Sequence, residues 1–336
     1  MKNFHKLLFL NTMTIGTLIA ISSMSWLTTW IGLEINLLSL MPLMKDFKNK
    51  YSSESTIKYF IIQALASALL LFSIAIYTNT KNYGMEFTVL SSIMLNSALL
   101  LKMGAAPFHF WFPEVISGLT WEMSFILMTW QKIAPMVLLT YTIYAPTFLS
   151  IIIIFSSMMG GLQGLNQICM RKIMAYSSIN HVSWMISALL NSASVWFYYF
   201  IIYCIINFNI IVILGSYNVY YIKQLSKLFS FNKKIKFFFM LNFLSLGGLP
   251  PFLGFFPKWM TMNHMIDNNY YVLAVTLIIF TLVSLYFYTR ITFASFTINS
   301  EESLMKIFNK ISYFHFMTNL FSLTGLIMCT IASNYF

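Results

Sequence analysis

The chain has 336 residues, of which 59% are hydrophobic and 18% aromatic, and its formal net charge is +11. Only 9% of the residues are charged, against about 25% in an ordinary globular domain. So few charges cannot cover the surface of a water-soluble fold of this size, which excludes soluble enzymes, nucleic-acid-binding proteins and disordered chains. What remains is an integral membrane protein that is mostly helical.

Apolar runs that are long enough to cross a bilayer recur along the whole chain. They predict an all-α polytopic membrane protein with about eleven transmembrane helices. The predicted helices cover residues 4–22, 24–44, 56–77, 87–106, 120–142, 147–169, 173–191, 195–216, 236–265, 270–292 and 312–334. Because eleven is an odd number, the two termini are expected on opposite sides of the membrane.

The positive charges orient this topology. Sixteen of the twenty lysines and arginines fall on the N-terminal side of the predicted helices, three lie within apolar segments, and Lys81 alone falls on the opposite side. By the positive-inside rule, the N-terminus is therefore expected on the cytoplasmic or matrix side. The basic loops are expected to contact anionic phospholipids such as cardiolipin, and no nucleic acid.

Two proline-containing motifs indicate an internal repeat. Residues 104–113 and 248–257 both read Gly-x-x-Pro-Phe-x-x-x-Phe-Pro, 144 residues apart. The motifs lie at the fourth and ninth predicted helices, an offset of five helices, and since five crossings is an odd number, the second copy must be inverted in the membrane. The prediction is a single membrane domain over residues 1–336, with a first five-helix repeat (1–142), an inverted second repeat (147–292), and an amphipathic segment with the final helix (293–336).

Both motifs are expected to break their helices. Proline lacks an amide donor and clashes with the preceding turn, so Pro107 in the first motif and Pro250 and Pro251 in the second predict helix breaks. Protein or water must satisfy the freed backbone groups, and matched interruptions in two halves mark the central pathway of a transporter. The alternative is that both motifs are ordinary helix ends in a phenylalanine-rich chain.

Four charged residues lie well inside predicted helices or beside their breaks: Glu34, Lys102, Lys132 and Lys258. An ionised group at mid-membrane costs about 2.5–3.5 kcal/mol on insertion scales, so such residues are expected to face a hydrated interior and to pair. Lysine suits a proton relay because its ammonium loses a proton more readily once it is removed from water. Glu34 is the one central acid, and we predict that it pairs with Lys102. Lys102 and Lys258 could alternatively extend to the membrane interface.

His109 and His181 add side chains that titrate near neutral pH, although either could serve packing or hydrogen bonding alone. No predicted helix carries the two histidines that a haem site would need, and the three cysteines form no Cys-x-x-Cys pair. No nucleotide-binding loop is found either. We therefore expect no cofactor and no metal in this chain.

Five stretches of the chain resemble the antiporter-like subunits of respiratory complex I. They cover residues 30–36, 99–111, 129–135, 177–181 and 247–259, in order over most of the sequence. The resemblance is to the family of NADH–ubiquinone oxidoreductase chain 2, encoded in mitochondria, and to its arthropod members in particular. The 18 lysines and only two arginines fit the bias of an AT-rich mitochondrial genome.

The resemblance implies a proton-pumping module similar to Mrp-type antiporter subunits, in the mitochondrial inner membrane with its N-terminus on the matrix side. It implies that Glu34, Lys102, Lys132 and Lys258 form a hydrophilic axis along the membrane plane. NADH, FMN, iron–sulfur clusters and ubiquinone would bind other subunits of this NADH:ubiquinone reductase. The implied partners are the antiporter-like subunit 4, the small subunit 4L and accessory subunits. A stand-alone cation/proton antiporter and a purely structural subunit are the alternatives.

Overall fold

The computed structural model describes residues 2–46, 49–80, 85–225, 233–297, 316–323 and 325. Within these ranges the secondary structure is helical, apart from one antiparallel bridge between Cys169 and Tyr221. The prediction of an all-helical protein is therefore confirmed. The chain divides into two compact units, Met1–Ile152 and Ile153–Phe336.

The helices of the first unit follow the predicted apolar runs closely. They are α1 (Lys2–Ser22), α2 (Trp26–Met44), α3 (Lys50–Thr80), α4 (Met85–Met103), α5 (Trp111–Gly118), α6 (Trp121–Met128) and α7 (Trp130–Thr140), and α8 (Pro146–Leu165) contains the boundary between the units. The predicted helix 120–142 is interrupted at Thr129. There the threonine hydroxyl donates to the carbonyl of Phe125 at 2.7 Å, a local bond that bends helices.

The second unit continues with α9 (Met170–Asn191), α10 (Ala193–Ser216), a short 3₁₀ turn (Ile222–Gln224), α11 (Lys233–Gly247), α12 (Phe255–Asp267) and α13 (Tyr271–Thr297). The predicted helix 236–265 is divided between α11 and α12. Residues 316–323 are helical and belong to the predicted final helix 312–334. The rest of that prediction lies outside the described residues, as does Lys81.

The long helices have the length and composition of membrane spans. In the described part of the chain, seven candidates are Phe4–Ser22, Trp26–Met44, Lys50–Asn79, Trp121–Thr140, Pro146–Leu165, Ala193–Ser216 and Tyr271–Phe293. Two shorter apolar helices, Val89–Met103 and Lys236–Gly247, stop at the predicted breaks. Large apolar side chains on the outer helices are exposed, as lipid-facing residues are, so the integral-membrane character is confirmed.

Helix α9 is long but polar, and it is almost entirely buried. Its buried polar side chains are Ser177, Ser178, Asn180, His181, Ser183 and Ser187. It packs against α10, α12 and α13, so it has little surface left to face lipid. A helix enclosed by protein does not need to be apolar all round, because its polar groups bond to protein. This explains how α9 can cross the protein interior although it lacks the high hydropathy of the seven candidate spans.

Two helix crossings bring backbones into close contact. A methyl group at Gly16 of α1 would lie 2.9 Å from the amide nitrogen of Asn36 in α2. A methyl group at Gly160 of α8 would lie 2.7 Å from the amide nitrogen of Asn180 in α9. Small residues permit such close packing between membrane helices. Both members of the second crossing stand 144 residues after their counterparts in the first, the spacing that also separates the proline motifs.

Candidate functional site

The first break lies between α4 and α5. Gly104 has a φ of +73°, a left-handed conformation that favours glycine. Its amide donates to the carbonyl of Leu101 at 3.2 Å, and the amide of Ala105 donates to the carbonyl of Leu100 at 3.1 Å. These two bonds form the Schellman motif, which ends a helix at a left-handed residue. The helix therefore stops at the glycine, and Pro107 lies three residues further along the connection.

The second break has the same geometry 144 residues later. Gly248 has a φ of +78°. The corresponding bonds run from Gly248 N to Ser245 O at 2.9 Å and from Leu249 N to Leu244 O at 3.3 Å. Pro250 and Pro251 lie in the connection to α12. The bonds Ala106–Pro107 and Pro250–Pro251 are both cis, so the two motifs share their backbone conformation as well as their residues.

The final carbonyls of the two broken helices find different partners. At the first break, Nε2 of the buried Gln63 on α3 donates to the carbonyl of Lys102 at 3.2 Å. At the second, Nζ of Lys258 donates to the carbonyl of Gly247 at 2.8 Å and to that of Leu246 at 3.3 Å. A cation at the C-terminal end of a helix is also favoured by the helix dipole. A neutral amide thus satisfies the first break, and a buried ammonium satisfies the second.

Glu34 and Lys102 lie in the same unit, on α2 and in the last turn of α4. Lys102 is only 7% exposed, and Oε1 of Glu34 is buried without a hydrogen-bond partner among the described residues. The Glu34 carboxylate acts electrostatically on the Lys102 ammonium. Within the described part of the chain, however, no direct ion pair at 4.0 Å or closer joins the two. The two residues predicted to pair therefore interact without direct contact.

Lys132 is the most deeply buried of the four charged residues, at 1% exposure. It stands on α7, three residues after the interruption at Thr129 and three before Pro135. Its Nζ lies 5.4 Å from the ring centroid of Phe112 on α5, within the range of a cation–π interaction. A methyl group at Gly104 would lie 3.1 Å from Cβ of the same phenylalanine. Phe112 therefore contacts both the first break and the buried lysine.

A pair of side-chain amides joins the helices that carry Glu34 and Lys132. Nδ2 of Asn36 on α2 donates to Oε1 of Gln131 on α7 at 3.0 Å. Nε2 of Gln131 donates in return to Oδ1 of Asn36 at 2.9 Å. Two reciprocal bonds fix the orientation of both amides and link the two helices at this level.

Lys258 and His181 form the polar part of the second unit. Lys258 is 8% exposed, and its Nζ lies 5.9 Å from the ring centroid of Trp184 on α9, besides the two carbonyls at the second break. His181 is also buried, and its Nδ1 lies 2.8 Å from the hydroxyl of Tyr199 on α10. This hydrogen bond joins α9 to α10 inside the second unit.

His109 lies in the connection between α4 and α5 and is 1% exposed. Its ring packs against that of Phe110 at a centroid distance of 4.4 Å, and its carbonyl accepts a bond from the amide of Phe112 at 3.0 Å. The residue therefore belongs to the framework of the first break. Its expected part in proton transfer stays a prediction.

The structure places the predicted residues in two groups, with Glu34, Lys102 and Lys132 in the first unit and His181 and Lys258 in the second. Amide partners such as Gln63, Asn36 and Gln131 were not predicted, because uncharged amides occur throughout polar helices. A signal for Asn36 was nevertheless present, since Ile-Asn-x-x-Ser occurs at residues 35–39 and again at 179–183.

Among the described residues, no group of three metal-binding side chains is found.

Comparison with known proteins assigns the chain to a family. The family described as "NADH:quinone oxidoreductase/Mrp antiporter, TM" matches residues 23–284. The NADH-ubiquinone oxidoreductase chain 2 of Anopheles gambiae is 45% identical over 334 residues, which cover 98% of this chain and 98% of that protein. This chain belongs to the NADH-ubiquinone oxidoreductase chain 2 family. The chain 2 protein of Locusta migratoria is 46% identical over 90% of this chain and 88% of its own length.

Solved structures support the fold expected of the chain 2 family. A chain of the respiratory complex I from Thermus thermophilus, solved with bound aureothin, aligns with a TM-score of 0.87 at 24% identity. The alignment covers 96% of this chain and 78% of that chain. A chain of the Mrp complex from Dietzia sp. aligns with a TM-score of 0.75 at 16% identity, over 84% of this chain and 59% of that one. At these identities the likeness is one of fold.

Proposed function

We propose that this chain is a core membrane-arm subunit of the proton-translocating NADH:ubiquinone reductase, respiratory complex I, in the mitochondrial inner membrane. It relays protons while electrons pass from NADH to ubiquinone in other subunits. The observation that carries the proposal is Lys132, which is 1% exposed between a helix interruption and a proline. Burying an ammonium inside a membrane protein is costly, and such residues mark ion and proton pathways.

Each charged residue has a distinct role in this proposal. Because Glu34 acts on Lys102 without direct contact, a small movement of either helix changes their attraction and hence the affinity of Lys102 for a proton. Lys132 accepts and passes on the proton. Lys258, held at the second break by two carbonyls, connects the path to the distal side or to the next subunit. The His181–Tyr199 pair extends the relay.

The proposal includes eleven transmembrane helices arranged as two inverted five-helix repeats and a final helix, with the N-terminus on the matrix side. Three features support the repeat, all with a separation of 144 residues. They are the Schellman helix ends at Gly104 and Gly248, the glycine crossings at Gly16 and Gly160, and the serine bonds from Ser39 to Asn36 and from Ser183 to Asn180. The distribution of lysines supports the orientation.

The partners follow from the membrane-arm position. They are the antiporter-like subunit 4, the small subunit 4L and accessory subunits, with anionic lipids such as cardiolipin at the basic loops. NADH, FMN, iron–sulfur clusters and ubiquinone bind in other subunits. Co-migration of the chain with a large NADH-oxidising membrane complex on a native gel tests this assignment, and migration without NADH-oxidising activity would contradict it.

Replacing Glu34 by glutamine tests the role of the acid. We expect the rate of proton uptake during NADH oxidation by the assembled complex to fall about tenfold, which corresponds to a lost charge–charge interaction of about 1.4 kcal/mol. The measurement uses sealed membrane vesicles that contain equal amounts of assembled complex. Glu54→Gln is the matched control, since Glu54 is 61% exposed and pairs with Lys58 at the surface. Unchanged pumping in Glu34→Gln removes the acid from the relay.

A stand-alone cation/proton antiporter is the competing function, and the shared fold with the Mrp complex chain motivates its test. Reconstitution of the isolated chain in vesicles distinguishes the two. We expect no sodium–proton exchange without the other subunits, whereas autonomous exchange would favour the antiporter. A purely structural subunit is distinguished by the Glu34→Gln measurement, because it predicts altered assembly with normal pumping in whatever assembles.

A further inference from the structure

The amide pair Asn36–Gln131 joins the two helices that carry Glu34 and Lys132 of the proposed relay. Asn36 is two residues after Glu34 on α2, and Gln131 directly precedes Lys132 on α7. The two reciprocal bonds, at 3.0 and 2.9 Å, are formed by an asparagine that is 3% exposed and a half-buried glutamine. A change in the spacing of these two amides therefore moves the helix of the acid relative to the helix of the buried lysine.

The environment of Asn36 makes this position well defined. Its backbone amide stands against Gly16 of α1, where no side chain could be accommodated without movement. Its carbonyl accepts a bond from Ser39 at 2.8 Å within α2. The backbone of Asn36 thus packs against α1, and its side chain extends to Gln131 on α7. The pair acts as a fixed link between α2 and α7, with little freedom to adapt.

The same asparagine position is used in the second unit. Asn180, 144 residues after Asn36, stands against Gly160 of α8, and its carbonyl accepts a bond from Ser183 at 2.6 Å. Its Nδ2 donates to the hydroxyl of Ser284 on α13 at 3.1 Å. An asparagine that is supported by a glycine on one helix and bonded to another therefore occurs twice, which argues against a chance contact.

Neutral amides have a property that a charged pair lacks. Neither asparagine nor glutamine titrates, so the link persists while the charges on Glu34 and Lys132 change during proton transfer. We propose that Asn36 and Gln131 are a positioning pair, which keeps Glu34 and Lys132 at a fixed separation through the transport cycle. This inference rests on the proposed function, since it assigns the link to that relay.

The double substitution Asn36→Leu with Gln131→Met tests the proposal. Both replacements have a similar shape, and removing both partners leaves no unpaired buried amide, so the fold is preserved. We expect assembled complex near the wild-type amount, with the rate of proton uptake during NADH oxidation lowered by about tenfold or more, because a misplacement of about 1 Å can slow a positioned reaction up to about 10²-fold. We also expect a shifted pH profile of turnover.

The exchanged pair, Asn36→Gln with Gln131→Asn, is the matched rescue. It keeps both amides and their combined length, whereas Gln131→Asn alone shortens the link by one methylene. If the pair positions the two helices, Gln131→Asn alone should pump slowly, and the exchanged pair should recover the wild-type rate. Equal pumping in these two variants overturns the proposal, and this comparison stands even if the Leu/Met variant does not assemble.

Two further outcomes are separable. Fewer assembled complexes with normal pumping in those that form would assign the pair to packing and overturn the proposal. Lys132→Met, measured in parallel, reports on the relay itself. If Lys132→Met abolishes pumping while the Leu/Met variant pumps normally, only the positioning role fails. If Lys132→Met pumps normally, the proposed function fails as well.

Discussion

Replacing Lys132 by methionine is expected to abolish proton pumping by this chain while leaving the complex assembled. Methionine preserves the length and apolar stem of the side chain, and it removes the ammonium that is 1% exposed and faces the ring of Phe112. Burying a thioether instead of a charge costs the fold nothing, so the amount of complex should be retained. General acid–base groups contribute about 10²–10⁴-fold to proton transfer, so we expect the transfer step to slow by about 10²-fold or more.

The measurement is the rate of proton uptake during NADH oxidation, in sealed vesicles that contain equal amounts of assembled complex. Lys45→Met is the matched control, since Lys45 is exposed at the end of α2 in the same unit and has no role in the proposed path. Its pumping should equal that of the wild type. Normal pumping in Lys132→Met would contradict the assigned role of this residue, whatever the control shows.

Replacing Gly254 by alanine is expected to have the largest effect on stability. The new methyl group would lie 1.8 Å from the carbonyl oxygen of Ser245, and both partners belong to the backbone of the second break. Neither can move without separating α11 from α12. We expect a loss of about 4 kcal/mol or more, the range of the most severe point substitutions, and hence little assembled complex on a native gel.

A glycine in the same break is the matched control. At Gly247, the last residue of α11, the nearest atoms to a methyl group are side-chain carbons of Leu285 and Tyr288 at 3.6 Å, which is ordinary contact. Gly247→Ala keeps the carbonyl that binds Lys258, so it should assemble and pump normally. Equal assembly of the two alanine variants would mean that the backbones at the second break are further apart than described.

The positions of most helices follow from the sequence, because lipid selects continuous apolar runs of a fixed length. The breaks follow as well, since Pro107 and Pro250 stand in long apolar segments. What proline alone did not indicate is where the helices end. Gly104 and Gly248 set the ends through their left-handed conformation, three residues before Pro107 and Pro251. The interruption at Thr129 carries no such mark, because threonine is ordinary in membrane helices.

The burial of Lys102, Lys132 and Lys258 was predictable for an energetic reason, since a charge inside an apolar run is too costly to face lipid. The distance between Glu34 and Lys102 was not, because it depends on how α2 and α4 pack. Neutral partners such as Gln63 and Gln131 were missed for the same reason. Each of them bonds to a carbonyl or an amide on another helix. The sequence of a single helix does not indicate which groups of a neighbouring helix lie within bonding distance.

A helix as polar as α9 partitions poorly into lipid by itself. The serines, Asn180 and His181 of α9 are buried in the folded protein, and α10, α12 and α13 are among the helices that cover them. Before those helices are in place, these polar side chains would face lipid. Since α10 is strongly apolar and follows after Ser192 alone, the two helices would enter the membrane as one hairpin, with α10 supplying the driving force. The buried polar residues of α9 thus make its insertion during synthesis dependent on its neighbours.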